Sequence, residues 1–391
     1  MWAASFLSVE MALERRNLLR LTGAAAVAST AGLAGCLGGS DDENGSGDDP
    51  TSSQSAPYRN WLASTDDDAV FVAHLDWSGL EALENGDSES VIGGEDADDE
   101  DQDLDDGETP LEDEEDLLLA APLMGTFFVA VGTLGLLGTG LEELLDSEDD
   151  TGGEDDSTAD DADGDPADFE TTVDDVFWVN DAYVITGDVE TDEIHEILTE
   201  DPDDEFGMKT VYEPTDEIGG FDIYEPVEDD SAFTSTEDAI AVGEDAIALS
   251  MGSEGEPTDD LRGPLEAYSG DGDRAVDEHD DLSWLLETAG SGHVAFGAFG
   301  DLENEEDLEI GDDEDHDELA GATGFFGSMS VESESESSLA FAAVFDELDD
   351  DQEAELSAEL GTSTTDADLE FDADRVSATA TWDENALAGS D

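Results

Sequence analysis

LLLAAPLMGTFFVAVGTLGLLGTGL, residues 117 to 141, runs for 25 positions without one charged side chain. Its reading decides the fold. By length and hydropathy it meets the test for a membrane-spanning helix. Pro122 and the glycines at 125, 132, 135, 138 and 140 break it into pieces, however, and both flanks are acidic with no Lys or Arg to anchor an interface. A helix, or a strand and helix, buried in a soluble core gives the same composition. Gly132, Gly135 and Gly138 place small residues on one helical face, which aids close packing in either setting. The reading adopted is a buried core segment, with a span as the alternative.

Outward from this stretch the chain is acidic almost everywhere. It has 391 residues, 113 Asp and Glu against 8 Lys and Arg, and a formal net charge of -105. So few cations leave no surface for nucleic acid and no basic membrane patch. Only five of them, Arg59, Lys209, Arg262, Arg274 and Arg375, follow residue 35. The apolar fraction of 38% still supports packed cores. A surface of this kind repels itself in dilute buffer, whereas in molar salt the Debye length falls to about 3 Å. The composition therefore fits a protein built for concentrated salt.

The N-terminal region carries the clearest signals. Met11 opens a short basic region with Arg15, Arg16 and Arg20, followed by an apolar run from Leu21 to Ala34 that is too short and too rich in Ala and Gly for a span. Residues 1 to 35 read as an export signal with its true start expected at Met11. The Arg15-Arg16 pair fits a twin-arginine signal, although Glu14 stands where Ser or Thr is usual. Leu33-Ala34-Gly35-Cys36 fits a lipobox, in which the Cys36 thiol takes a diacylglyceryl group. Cys36 is the chain's single cysteine, which excludes an intramolecular disulfide, cysteine zinc sites and cysteine-ligated iron-sulfur clusters. Residues 36 to 57 then form a Gly/Ser/Asp/Pro tether, in which Asn44-Gly45-Ser46 is a glycosylation sequon.

Together these features resemble the exported lipoproteins of halophilic archaea, uncharacterised proteins of that group included. The resemblance covers residues 11 to 57 and implies location: a lipid-anchored protein on the outer face of a haloarchaeal cell membrane. It implies no activity. A chain exported in folded form and held by a lipid needs no second anchor, which favours burial of residues 117 to 141.

The rest of the chain reads as α+β. Residues 58–145 form an N-terminal region with a strand at Ala69–Leu75, a short helix from Trp77, an insertion with 19 acids in the 36 positions from Glu81 to Asp116, and the apolar stretch. Residues 146–170 are an acidic linker. Within it Asp161, Asp163 and Asp165 resemble half an EF-hand loop, but Pro166 replaces the required Gly and Thr172 the bidentate Glu, so a solvated linker is the reading. Residues 171–300 form a second unit, with strands at Val173–Val179 and Ala182–Thr186 across Asn180-Asp181 and a helix from Thr191. Further strands follow at Phe221–Tyr224, Ala239–Val242 and Ala246–Ser250, and short helices around Leu261 and Leu282 precede a strand at His293–Phe299. Residues 301–320 are an acidic loop. In residues 321–391 the order strand, helix, hairpin recurs at Ser338–Phe345, Asp349–Leu360 and Leu369–Trp382. The expectation is antiparallel sheets with short helices on one face, built from a duplicated strand-helix-hairpin unit.

No catalytic residue stands out. His74, His195, His279, His293 and His316 lie far apart in the sequence, so metal ligands are left unassigned, and no cofactor motif is present: no P-loop, no G-x-G-x-x-G and no G-x-S-x-G elbow. Three function classes remain. A structural or interaction protein leads. A solute-binding lipoprotein would use a cleft lined by Trp178, Tyr183, Tyr212, Tyr224 and Trp284; an enzyme without a recognisable motif is the third. The membrane, through the lipid, is the one partner implied, and any protein or small-molecule partner is left open.

Overall fold

The computed structural model describes residues 56–65, 69–85, 116–136, 139–145, 170–200, 210–227, 238–251, 257–300, 319, 321–333, 336–364 and 366–383. Arg15, Arg16, Cys36, Asn44, the Asp161–Asp165 string and His316 lie outside them.

Twelve strands form one antiparallel sheet. In chain order they are β1 (Val70–Asp76), β2 (Asp175–Val179), β3 (Ala182–Thr186), β4 (Tyr212–Ile218), β5 (Phe221–Pro226), β6 (Ile240–Val242), β7 (Ala246–Ser250), β8 (Val294–Phe299), β9 (Ala322–Ser333), β10 (Glu336–Phe345), β11 (Asp366–Asp372) and β12 (Arg375–Asp383). Across the sheet the order is β11-β12-β10-β9-β8-β1-β2-β3-β7-β6-β5-β4. The central strands are covered on both sides, which is why β7 (AIALS) and β8 (VAFGAF) read as unbroken apolar runs with every residue buried.

The strand order repeats. In the first unit β1, β2 and β3 run side by side, a helix follows, and a later hairpin returns β7 to pair with β3. In the second, β8, β9 and β10 run side by side, a helix follows, and β12 returns to pair with β10. β1 and β8 meet antiparallel, with Ala73 opposite Phe296, so the units are related by a rotation about an axis normal to the sheet. The first unit is wider by the hairpin β4-β5.

Among the described residues seven helices cover the sheet: α1 (Trp77–Asn85), α2 (Leu117–Leu134), α3 (Thr191–Thr199), α4 (Pro257–Ser269), α5 (Ala275–Glu278), α6 (Asp280–Ala289) and α7 (Asp350–Glu359). The repeat helices α3 and α7 lie on the same face, as a rotation normal to the sheet requires, and α2 lies there too. The other face is covered by α4, α5 and α6, which link the units, and by a 3₁₀ turn at Pro57–Trp61. Helices on one face therefore describes the repeats but not the chain, because the connection between the units has to cross the sheet and covers its second side.

The apolar stretch forms a helix over Leu117–Leu134 that lies on the sheet with half of its residues buried. Asp116 caps α2, which packs on the junction of the units against β8, β1 and β9, with fewer contacts to β2 and β10. Two of its glycines make this approach possible. A Cβ at Gly125 would lie 2.7 Å from the Ala295 carbonyl oxygen, and one at Gly132 would lie 2.2 Å from the Tyr183 ring. Gly135 serves instead as the helix C-cap, its N–H bonding to the carbonyls of Gly132 and Thr133. Beyond the helix, Leu136 and Leu141 are fully buried.

Candidate functional site

His74 is the most deeply placed ionisable group with a charged partner. It sits on β1, in the sheet centre, on the face that carries Tyr58 and Phe177. Its side chain is 3% exposed, and its Nε2 lies 2.9 Å from Asp175 Oδ1 on β2. Nδ1 has no hydrogen-bond partner. Above the ring, Tyr58 packs at 5.3 Å between centroids and donates its hydroxyl to the Gly290 carbonyl. Burial holds the Tyr58 hydroxyl well above the usual phenol range, so it stays protonated. The pair ties β1 to β2 as a His-carboxylate bond.

At the same strand ends carboxylates gather. Asp76 faces Asp175 across the ladder, and Asp76 Oδ1 accepts from the Gly79 N–H at 2.7 Å, capping α1. Asp174 is held above the ordinary carboxylate range by burial, then by the charges of Asp175, Asp188 and Asp76. No group of three or more His, Cys, Asp or Glu among the described residues is placed to hold a metal ion.

The remaining described histidines each join two elements. His195 Nδ1 lies 2.9 Å from the Tyr224 hydroxyl, linking α3 to β5. His293 Nδ1 accepts from the Val331 N–H at 3.0 Å, which places the ring proton on Nε2. His279 packs at 5.3 Å on the Phe299 ring.

Of the aromatic residues expected to line a solute cleft, the three tyrosines are in the core and Trp178 and Trp284 pack partly buried against it. Tyr183, Tyr212 and Tyr224 are at most 3% exposed, and Trp178 packs edge-on against Phe71 and Phe128. Trp284 lies under the Arg375 guanidinium, 4.8 Å from ring centroid to Cζ. The one sheet running through both units leaves these side chains no gap between lobes to line. A shallow hollow of about 260 Å³ does occur, lined by Gly270, Gly272, Asp273, Arg274, Asp277 and Glu278. It is polar and has no aromatic wall.

The described arginines serve the linking layer. Arg59 bonds Ser283 Oγ at 3.2 Å and pairs with Glu287, while Arg375 reaches Asp281 from β12, so α6 is held from both ends of the chain. Arg274 Nε donates to the Ala267 carbonyl at 2.9 Å. Arg262 pairs along α4 with Asp259 and Glu266.

One surface differs from all of this. Of the three exposed large apolar side chains among the described residues, Phe127 and Leu134 both lie on α2, at 48% and 52% exposure; the third is Val227. They stand on the side of the helix turned away from the sheet. The chain matches no protein-family model, no curated protein and no solved structure.

Proposed function

We propose that this is an exported, lipid-anchored protein of the cell surface with a structural or interaction role. The observation that carries this reading is the position of Cys36, the only cysteine, directly after an apolar signal run and directly before a polar tether. The polar run from Leu37 to Pro57 puts about twenty residues between that cysteine and the rest of the chain. A chain of that length and composition has a root-mean-square span of roughly 25 Å, enough to hold a domain clear of a headgroup layer. The placement of Trp178, Tyr183, Tyr212, Tyr224 and Trp284 in packed surroundings removes the support for a solute-binding cleft. The described residues His74, His195 and His293 hydrogen-bond between elements of the fold, which supports a structural role for them.

Cys36→Ser tests the reading in the native host. Release into the medium, or retention of an uncleaved precursor, is expected. A variant that is still processed and still extracted only with detergent would overturn the lipid anchor. Replacing Arg15 and Arg16 by Lys in the same strain separates the export route from the anchor, because the paired guanidinium groups are read as more than charge.

A further inference from the structure

The outer side of α2 is apolar from end to end. At 100° per residue, Ala120, Leu123, Phe127, Ala130 and Leu134 fall within one arc of less than 90°, opposite the buried arc that holds Gly125, Val129 and Gly132. Their spacing is three, four, three and four, the seam pattern of helices that pair side by side. All five are partly or well exposed. The helix's two hydroxyls are turned inward: Thr126 Oγ1 bonds the Leu123 carbonyl at 2.7 Å, and Thr133 Oγ1 bonds the Val129 carbonyl and the Tyr183 hydroxyl. No polar side chain interrupts the stripe.

We propose that this stripe is a self-association surface, pairing antiparallel with the same helix of a second copy about a two-fold axis near Phe127. Charge decides the occupant. With 113 acids against 8 cations, a symmetric contact elsewhere on this chain sets carboxylate against carboxylate, while α2 offers 18 residues with none. A two-fold contact also needs a surface that complements itself, and the seam does so. Taken from Phe127, Leu123 and Ala120 lie four and seven residues before it; Leu134 lies seven after, and Val131, partly exposed at the edge of the stripe about 20° beyond Ala120, lies four after, so Leu123 meets Val131 and the small Ala120 meets Leu134. A lipid surface is the poorer match, because helices that lie in a bilayer interface carry Lys and Arg along their edges and residues 116 to 145 have neither. Two copies that each carry a formal charge of -105 repel, so the association tightens as salt rises, the reverse of an interface held by ion pairs. One helix face is small beside the roughly 800 Å² per partner of a standard interface, so a dissociation constant of micromolar order is expected. None of this depends on the lipid.

The test uses the full chain with Cys36→Ser, which removes the only thiol. In 3 M KCl, sedimentation equilibrium should give a dimer at tens of micromolar, dissociating as KCl is lowered within the range where circular dichroism shows the fold intact. Phe127→Asp should weaken it at least tenfold without lowering the melting temperature, since the side chain is half exposed. Phe127→Cys in that background should form an intermolecular disulfide under diamide, the two thiols giving up two electrons and two protons to the oxidant. Val227→Cys should not. A monomer at about 100 µM in 3 M KCl, a dimer indifferent to Phe127→Asp, or equal crosslinking at both positions would overturn the proposal. So would a monomer that floats with phosphatidylglycerol vesicles in a manner abolished by Phe127→Asp, which would make lipid the occupant.

Discussion

Asp116 shows how much one side chain settles here. It is fully buried, yet its carboxylate is engaged at both oxygens: Oδ1 accepts from the N–H groups of Leu118 and Gly361, and Oδ2 from that of Ser363 at 2.8 Å. It therefore caps α2 and fastens the turn after α7 to it, joining parts of the chain 245 residues apart. Removing it takes the carboxylate from three backbone donors, that of Leu118 buried and those of Gly361 and Ser363 part-buried. Asp116→Ala should cost about 3 kcal/mol, the sum of a lost cap and lost charge-assisted bonds. The check is the shift in melting temperature at fixed high salt. A loss below about 1 kcal/mol would mean that water replaces the carboxylate and that the two segments are not joined through it.

At the scale of elements, α2 and the sheet set opposing demands on glycine. Gly to Ala in a helix interior gains about 1 kcal/mol of propensity. At Gly125 the added methyl would meet the Ala295 backbone oxygen at 2.7 Å, and a strand buried in mid-sheet cannot retreat. Overpacking of this kind costs about 1 to 3 kcal/mol, so the net effect of Gly125→Ala should be destabilising. Gly132→Ala meets the Tyr183 ring, which is held by the Thr133 hydroxyl, and should be at least as costly. Thermal melts of both variants decide the point; a rise in melting temperature in either would mean that α2 does not lie so close to the sheet. The mirror case is Gly327 on β9, where a Cβ would lie 2.6 Å from the Cβ of Ala121. Close approach of helix and strand needs small residues from both sides.

At the scale of the whole molecule, charge sets the conditions of folding. A single sheet with covered faces buries its apolar side chains, which puts the ionised residues on the outside, where about a hundred like charges repel. Only four arginines among the described residues offset them, and three of the four, Arg59, Arg262 and Arg375, do so as ion pairs at partly exposed positions worth little each. Circular dichroism of the chain should show structure in 2 to 4 M KCl and substantial loss near 0.1 M, where screening reaches only about 10 Å. An unchanged melting midpoint across that range would refute the dependence.

The sequence by itself determined which segments are strands and helices wherever one period dominates. The run at Ala69–Leu75, the Asn180-Asp181 hairpin, the amphipathic α3 and the recurring strand-helix-hairpin order were all legible, and so was the α+β class. Two strands were not. β9 carries Gly321, Gly324 and Gly327 in or beside an apolar stretch, a pattern that reads as loop until α2 is laid across it. β4 is an edge strand with five exposed residues and Pro214 at an irregularity, so it shows no buried face to alternate against. Residues 117 to 141 were ambiguous for a physical reason: composition reports that a segment avoids water, and lipid and protein core avoid it equally. The tertiary structure places strands against Gly125 and Gly132 and buries half of the helix Leu117–Leu134. It alone joined the two units into one sheet, brought Asp175 to His74, took the tyrosines into the core and left Phe127 and Leu134 outside, because each depends on which strand lies beside which, a pairing that local periodicity does not encode.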